Sequence, residues 1–165
     1  MSAQPKPHLP PLRFQRIEEA QLPQVVALES SVYVFPWTHG NFRDALCSGY
    51  SCIGVWSGHE LVGYAITMLA LEEMHLLNLA VASRWQGRGV GGAILQHVID
   101  QAAPTSCEVI YLEVRPSNIA GLRLYERFGF RQLGLRHNYY PAVTGREDAL
   151  FLGLNIKVRP IDATR

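Results

Sequence analysis

The stretch Leu76–Gly92, LLNLAVASRWQGRGVGG, contains in succession an apolar strand, a short polar bend and a glycine-rich turn. The strand is predicted over Leu76–Val81 and the turn over Gln86–Gly92. Apolar residues then return at the spacing of one helical face, which predicts a helix over Gly89–Ala102. We therefore expect a strand, a tight turn and a helix N-terminus in direct sequence.

A glycine turn at the start of a helix can bind an anion. Glycine has no side chain, so backbone N–H groups can approach a bound anion closely. The helix dipole adds about half a positive charge at the helix start. The expected guest is a phosphate or pyrophosphate. The alternative is a turn that binds no ligand. Each glycine, however, destabilises a helix start by up to about 1 kcal/mol relative to alanine, so a turn without a ligand would not favour four of them.

Two common phosphate-binding motifs fit this turn poorly. No Gly-Lys-Ser/Thr closes it, which excludes a P-loop. The spacing of Gly87, Gly89 and Gly91, and their position in the middle of the chain, do not match the turn that opens a dinucleotide-binding fold.

Length and composition indicate one globular domain of ordinary size. The chain has 165 residues, 48% of them hydrophobic and 18% charged, with a net charge of +1. Such a charge provides no strong field toward nucleic acid or an anionic membrane. The longest apolar run, Leu61–Leu71, is too short to span a bilayer, and no charged-then-apolar leader opens the chain. We expect a soluble, cytoplasmic protein.

Neither the cysteines nor the histidines predict a metal site. The three cysteines lack the pair spacing of metal ligands and are expected to be free thiols in a reducing cytosol. The six histidines are scattered, with no two at ligand spacing on a helix or strand.

The remaining patterns predict a mixed α/β fold of about seven strands and four helices. Residues 1–11, which hold four prolines, are expected to form a disordered tail, residues 12–156 a single domain, and residues 157–165 a C-terminal tail. The predicted strands are Phe14–Ile17, Cys52–Trp56, Leu61–Leu71, Leu76–Val81, Val109–Val114, Arg131–Tyr139 and Glu147–Leu154. The predicted helices are Glu18–Ser31, His39–Cys47 capped by Thr38, Gly89–Ala102, and one that is capped by Ser117 or Asn118 and runs to Phe128. A helix between two strands implies a right-handed crossover and local parallel order.

The turn also matches a known signature. Gln86, Gly89 and Gly91 form Gln-x-x-Gly-x-Gly directly after an apolar strand, which resembles the acetyl-CoA signature of the GNAT superfamily of N-acetyltransferases. Within it, the chain resembles the ribosomal-protein alanine N-acetyltransferases of the RimI type, from about Phe14 to Ile156. The stretches that carry this likeness are Phe35–Trp37, Leu77–Val81, Leu112–Asn118, Leu124–Phe130, Asn138–Pro141 and Gly145–Ala149.

The resemblance implies a GNAT fold with two splayed central parallel strands and acetyl-CoA as the cosubstrate, without a metal. The turn amides would hold the CoA pyrophosphate, and the backbone of Leu79–Val81 would pair with the pantetheine arm. The implied cofactor-binding residues are Leu79, Ala80, Val81, Gln86, Gly87, Arg88, Gly89, Val90, Gly91, Gly92, Asn118 and Tyr125. The link Ala82–Trp85 departs from the family pattern, and Asn118 could simply cap its helix.

The resemblance also implies catalytic roles. Glu113 would be the base, acting through water, and Tyr125 the acid for the departing thiolate. From the residues alone, Glu113 could instead form an ion pair with Arg115 or be a solvated edge carboxylate, and Tyr125 could be a packed core tyrosine. His75 is a remote alternative base.

The acceptor is expected to be a peptide N-terminus. At pH 7.5 about a third of an α-amine but only about 0.1% of a lysine amine is neutral, which favours the α-amine without excluding lysine. Phe35 and Trp37 flank a proline in a loop and could wall a peptide pocket or simply pack; with Tyr139 they are the expected substrate-binding residues. The RimI likeness implies an N-terminal alanine of a small-subunit ribosomal protein.

The transfer is expected to be direct, in a ternary complex, because no cysteine falls in a nucleophile motif. The alternatives are an acetyltransferase for another peptide N-terminus, a lysine or a small amine, and a non-catalytic acetyl-CoA-binding module. No direct nucleic acid or membrane partner is expected. The arginines between residues 115 and 136 could touch RNA or the CoA 3′-phosphate, but a solvated helix face is the preferred interpretation.

Overall fold

The structure is a computed structural model that describes residues 9–157. Of the two predicted tails, residues 1–8 and 158–165 lie outside the described residues. Within residues 9–157, no helix is long and apolar enough to cross a membrane.

The elements follow the predicted order. The strands are β1 (Arg13–Arg16), β2 (Ser51–Ser57), β3 (Glu60–Ala70), β4 (Glu73–Val81), β5 (Val109–Val114), β6 (Arg131–Pro141) and β7 (Arg146–Asn155). The α-helices are α1 (Leu22–Val32), α2 (His39–Cys47), α3 (Val90–Ala102) and α4 (Ile119–Arg127), and short 3-10 turns occupy Glu19–Gln21 and Ser83–Trp85. The predicted mixed α/β fold of seven strands and four helices is confirmed for the part of the chain that is described.

The strands form one mixed sheet in the order β1-β2-β3-β4-β5-β7-β6. The pair β4–β5 is parallel, with Glu73 opposite Val109 and Leu76 opposite Leu112, whereas β5–β7 and β6–β7 are antiparallel. The strands on either side of α3, β4 and β5, are thus parallel, as the predicted helix between two strands implied.

The helix termini follow local side-chain chemistry. The Thr38 hydroxyl accepts the Asn41 N–H and caps α2, as predicted. Of the two predicted caps for α4, the structure uses Asn118, whose Oδ1 accepts the Gly121 N–H at 3.0 Å. The first predicted helix, Glu18–Ser31, instead begins with the 3-10 turn and becomes α-helical at Leu22, with a proline in its first turn.

The chain divides into two compact units. The first contains residues up to 68 and residues 77–98; the second contains residues 69–76 and those from 99 onward. The expectation of a single domain over residues 12–156 stays a prediction.

The core of the first unit is formed by side chains of α1, α2 and the strands β2, β3 and β4. Its buried members include Leu22, Val25, Leu28, Phe42, Trp56, Tyr64 and Ile66. Fully burying a large apolar side chain stabilises a fold by about 1.5–3 kcal/mol, so this cluster holds both helices on the sheet.

In the second unit, the side chains of β5 alternate between a buried and a half-buried face. Ile110, Leu112 and Val114 are buried, whereas the alternate residues Tyr111 and Glu113 are only half-buried. Because side chains alternate along a strand, Glu113 lies on the face of Tyr111 and away from the buried leucine and valine.

Candidate active site

The glycine turn has a backbone conformation that only glycine adopts without strain. Gly87 and Gly89 have φ values of +72° and +90°. Both are exposed, so their backbone is accessible. The Gln86 Nε2 donates to the Val81 carbonyl at 3.0 Å and ties the turn back to the end of β4.

The link before the turn, Ala82–Trp85, is well anchored despite its departure from the family pattern. Trp85 is buried and donates its indole N–H to Glu60 at 3.1 Å, while Arg84 forms an ion pair with the same carboxylate. The Arg88 guanidinium lies over the Trp85 ring, 5.4 Å from its centre. These contacts fix the entry into the turn.

The start of α3 provides the donors that an anion needs. The Ala93 N–H bonds to the Gly89 carbonyl at 3.0 Å, which makes it the first N–H of the helical ladder. The N–H groups of Val90, Gly91 and Gly92 precede that ladder and have no partner within the helix. A turn of accessible glycines leading into such a helix start suits a phosphate or diphosphate.

The predicted pantetheine segment, Leu79–Val81, has two different edges. The Ala82 N–H bonds to the Val62 carbonyl of β3 at 2.8 Å, so Ala80, two residues earlier, also directs its backbone groups toward β3. Because backbone groups alternate along a strand, Leu79 and Val81 direct theirs to the opposite edge. There Leu79 accepts a hydrogen bond from the Tyr33 hydroxyl and Val81 accepts the one from Gln86.

Phe35 and Trp37, the loop aromatics expected to bind the acceptor peptide, differ in their exposure. Trp37 is half-buried and packs against Phe42 with ring centres 5.3 Å apart, so it has a packing role. Phe35 is 41% exposed. The loop that carries both is held by the Trp37 N–H, which donates to Glu29 at 2.8 Å.

Glu113 is the centre of a polar cluster in the second unit. Its side chain is 23% exposed and pairs with the Arg136 Nε at 3.1 Å. Tyr139 donates a hydrogen bond to the same carboxylate, and this contact is the largest cause of a raised pKa of Tyr139. The Glu113 carboxylate therefore forms an ion pair with Arg136 and is not simply solvated.

Arg115 has other contacts. Its Nη1 donates to the Pro141 carbonyl at 2.8 Å and lies 3.3 Å from Glu147, and its guanidinium stacks over the Tyr140 ring. The Ser117 N–H donates to Glu147 at 2.9 Å, which lowers the pKa of that carboxyl together with the contact to Arg115. This group ties the end of β6 to the start of α4.

Sequence reasoning missed the irregularity in β6 that brings Tyr139 to Glu113. Arg136 pairs with Ala149 and Tyr140 with Glu147, so three residues of β6 oppose one residue of β7. Asn138, in the middle, has a φ of +52°. Such a bulge re-aims the side chains that follow it.

Two side chains of β7 hold this bulge. Asp148 accepts the Asn138 N–H at 2.9 Å, and Arg146 donates to the carbonyls of Asn138 and Tyr139 at 2.7 and 2.6 Å. An asparagine, which tolerates a positive φ, two tyrosines and a proline in a row were the sequence signal for such a feature.

Tyr125 is buried in α4, with 8% of its surface exposed, and its ring meets Phe130 edge-on. It is therefore packed as a core tyrosine would be. Burial, and secondarily the charge of Tyr140, raises the pKa of Tyr125 to about 12. The phenol is therefore protonated throughout the neutral range and can act as a donor.

The predicted site residues thus form groups within each unit. The first unit holds Leu79–Val81, Gln86–Gly92, Phe35 and Trp37; the second holds Glu113, Asn118, Tyr125 and Tyr139. His75, the alternative base, lies 3.3 Å from Glu73 and against the Tyr111 ring. Residues 9–157 contain no cluster of side chains that could hold a metal ion.

Over most of its length the chain is similar to known acetyltransferases. The ribosomal protein bS18-alanine N-acetyltransferase of Escherichia coli strain K12 is 35% identical over 142 residues, which cover 86% of this chain and 96% of that protein. A crystal structure of the ribosomal-protein-S18-alanine N-acetyltransferase from Escherichia coli matches with a TM-score of 0.84 and 32% identity, covering 93% of this chain and 99% of that one.

A more distant structure shares the fold alone. Arabidopsis thaliana NAA60 in complex with acetyl-CoA has a TM-score of 0.79 at 19% identity, covering 88% of this chain and 99% of that one. The model of the acetyltransferase (GNAT) family matches residues 16–130. This chain therefore belongs to the GNAT family of acetyltransferases.

Proposed function

We propose that this enzyme transfers the acetyl group of acetyl-CoA to the α-amine of an N-terminal alanine, on a small-subunit ribosomal protein of the bS18 type. The observation that carries the proposal is the Glu113 carboxylate held by Arg136 and Tyr139, in a chain 35% identical to a bS18-alanine N-acetyltransferase. We further propose that it acts in the cytoplasm, on a protein substrate, without a nucleic acid or membrane partner and without a metal.

The residues of the first unit fit acetyl-CoA. The N–H groups of Val90, Gly91 and Gly92 would bind its diphosphate, with Gln86, Gly87, Arg88 and Gly89 shaping the turn. The outer edge of Leu79–Val81 would pair with the pantetheine amides. Each carbonyl that already accepts from Tyr33 or Gln86 keeps a second lone pair for this purpose.

Direct transfer needs a base for the amine and a donor for the leaving group. Glu113, acting through a water molecule, would take a proton from the acceptor amine. The amine nitrogen then bonds to the thioester carbonyl carbon, and the carbon–sulfur bond breaks to leave a thiolate. Tyr125 would donate a hydrogen bond to the departing sulfur. Asn118 caps α4 with its oxygen, so its amide donors are not consumed by the cap.

A panel of three peptides tests the proposal. The first has a free N-terminal alanine and no lysine, the second the same sequence with a blocked N-terminus, and the third a blocked N-terminus and an internal lysine. With acetyl-CoA, we expect mass spectrometry to show one added acetyl group on the first peptide alone. Product on the third peptide would indicate a lysine acetyltransferase instead. Binding of acetyl-CoA without product on any amine would indicate a non-catalytic module.

Substituting Gly89 with alanine is expected to weaken acetyl-CoA binding about tenfold. A side chain at a φ of +90° is strained by about 1–2 kcal/mol, and relief of that strain would turn the amides of the helix start away from the diphosphate. Isothermal titration calorimetry with acetyl-CoA measures the effect.

Gly58→Ala is the matched control, because Gly58 has a φ of +60° in the turn between β2 and β3. It should lose similar stability while keeping its affinity for acetyl-CoA. Equal affinity losses in both variants would show that general strain, and not the turn at Gly89, sets the binding.

A further inference from the structure

Glu29 is a buried carboxylate for which the proposed chemistry has no use. It lies on the inner face of α1 with 2% of its surface exposed. Removing a carboxylate from water is costly unless hydrogen-bond donors replace the water. Its partners therefore indicate why it is there.

Those partners come from three separate elements of the first unit. The Oε1 atom accepts the Trp37 N–H at 2.8 Å, and the Oε2 atom accepts from Asn78 Nδ2 at 3.2 Å and from the Tyr64 hydroxyl. One side chain thus joins α1 to the loop before α2, to β4 and to β3. Burial, with the charge of Glu29, raises the pKa of Tyr64, so this phenol stays a donor.

Glu29 contacts the loop 34–37 through the Trp37 N–H. The loop carries Phe35 and Trp37 and lies outside regular secondary structure. On the β4 side, Asn78 directly precedes Leu79, whose carbonyl accepts from Tyr33 at the end of α1. The same network therefore reaches both the loop with the acceptor-side aromatics and the β4 edge proposed for the pantetheine.

We propose that Glu29 is a positioning residue for the acceptor peptide, which sets the place of the loop 34–37 relative to the Leu79–Val81 segment. The inference rests on the proposed acetyl transfer to a peptide. Glu29 itself does not touch the reacting atoms. Its effect reaches the acceptor through the backbone of Trp37.

Three variants separate positioning from simple stability. Glu29→Met keeps the length of the side chain but removes the acceptor for Trp37. Glu29→Gln keeps an acceptor oxygen for Trp37, and the Tyr64 hydroxyl and the Asn78 amide can reorient to accept from its new N–H₂ group. Tyr64→Phe removes one donor to Glu29 and leaves the bond to Trp37 in place.

We expect Glu29→Met to raise the KM for the alanine peptide about tenfold, with kcat and the Kd for acetyl-CoA changed less than about threefold. Glu29→Gln should return the peptide KM to within about threefold of the wild-type value, and Tyr64→Phe should stay in that range even at a lower Tm. An unchanged peptide KM in Glu29→Met, or an equal rise in Tyr64→Phe, would overturn the inference.

Hydrogen exchange of the unliganded protein measures the protection of the backbone amides in the loop 34–37, independently of enzymatic activity. Residues 34–38 should exchange faster in Glu29→Met than in the wild type, but not in Glu29→Gln. Equal protection in all three proteins would refute the positioning role, whereas a wild-type protein that acetylates no peptide would refute the proposed function. If Glu29→Met does not fold, the shorter Glu29→Asp replaces it. The aspartate is one methylene shorter, which takes its carboxylate out of hydrogen-bond reach of the Trp37 N–H, so the same KM rise and faster exchange are expected, and their absence overturns the inference.

Discussion

Glu113→Gln is expected to lower the turnover of the alanine peptide by about 10²–10⁴-fold, the range in which removal of a general base falls. The amide has nearly the same shape as the carboxylate but cannot take a proton from the acceptor amine. Arg136 and Tyr139, which both donate to Glu113, can still donate to the amide oxygen. The fold and the affinity for acetyl-CoA should therefore be preserved.

Steady-state kinetics and calorimetry together check this expectation. Glu72→Gln, at the exposed turn between β3 and β4, is a control of the same chemistry outside the cluster. It should turn over at the wild-type rate. If Glu113→Gln also retains a near-normal rate, Glu113 is not the base, and His75 becomes the residue to substitute next.

For Glu113, the sequence predicted the direction of the side chain but not its partner. Alternation along β5 correctly placed the carboxylate on the face of Tyr111, because apolar residues on one face must be buried. Its partner Arg136 lies on β6, a strand whose residues are nearly all exposed and therefore show no usable alternation. Only the pairing of β5 and β6 with the same strand, β7, brings the two together, and a single sequence does not encode that register in any local pattern.

The first unit shows the same division between local and long-range information. The glycine turn was predictable because positive φ values favour glycine, and the Thr38 cap because a hydroxyl satisfies a free N–H of the helix. Glu29 gave no such signal. A glutamate on an amphipathic helix is usually solvated, and its partners Tyr64 and Asn78 are 35 and 49 residues away in the sequence.

Tyr125→Phe is expected to lower turnover by about 10²-fold or more without loss of stability or of acetyl-CoA binding. Phenylalanine keeps the ring and its edge-on packing against Phe130, whose centre lies 5.6 Å away. Only the hydroxyl is removed, so the variant isolates the donor. Tyr111→Phe, which leaves the ring beside Phe151 on β5, is the matched control and should retain full activity.

The raised pKa of Tyr125 also limits how the proposed donor can work. A phenol with a pKa of about 12 is a weaker acid than a thiol, whose pKa is about 8.5, so complete proton transfer to the thiolate is uphill by roughly 3.5 pKa units, or about 5 kcal/mol. Stabilisation of the developing thiolate by a hydrogen bond carries no such cost. In the proposed mechanism, solvent would then supply the proton that neutralises the thiolate.

This distinction has a measurable consequence. Because burial raises the pKa, the phenol stays protonated as pH rises, and its ionisation should not reduce kcat below about pH 11. A basic limb between pH 8 and 10 that is present in the wild type and in Tyr111→Phe but absent from the residual activity of Tyr125→Phe would contradict this. Such a limb would mean that Tyr125 ionises in the working range and transfers its proton outright, in which case bound acetyl-CoA must lower the pKa that burial raises.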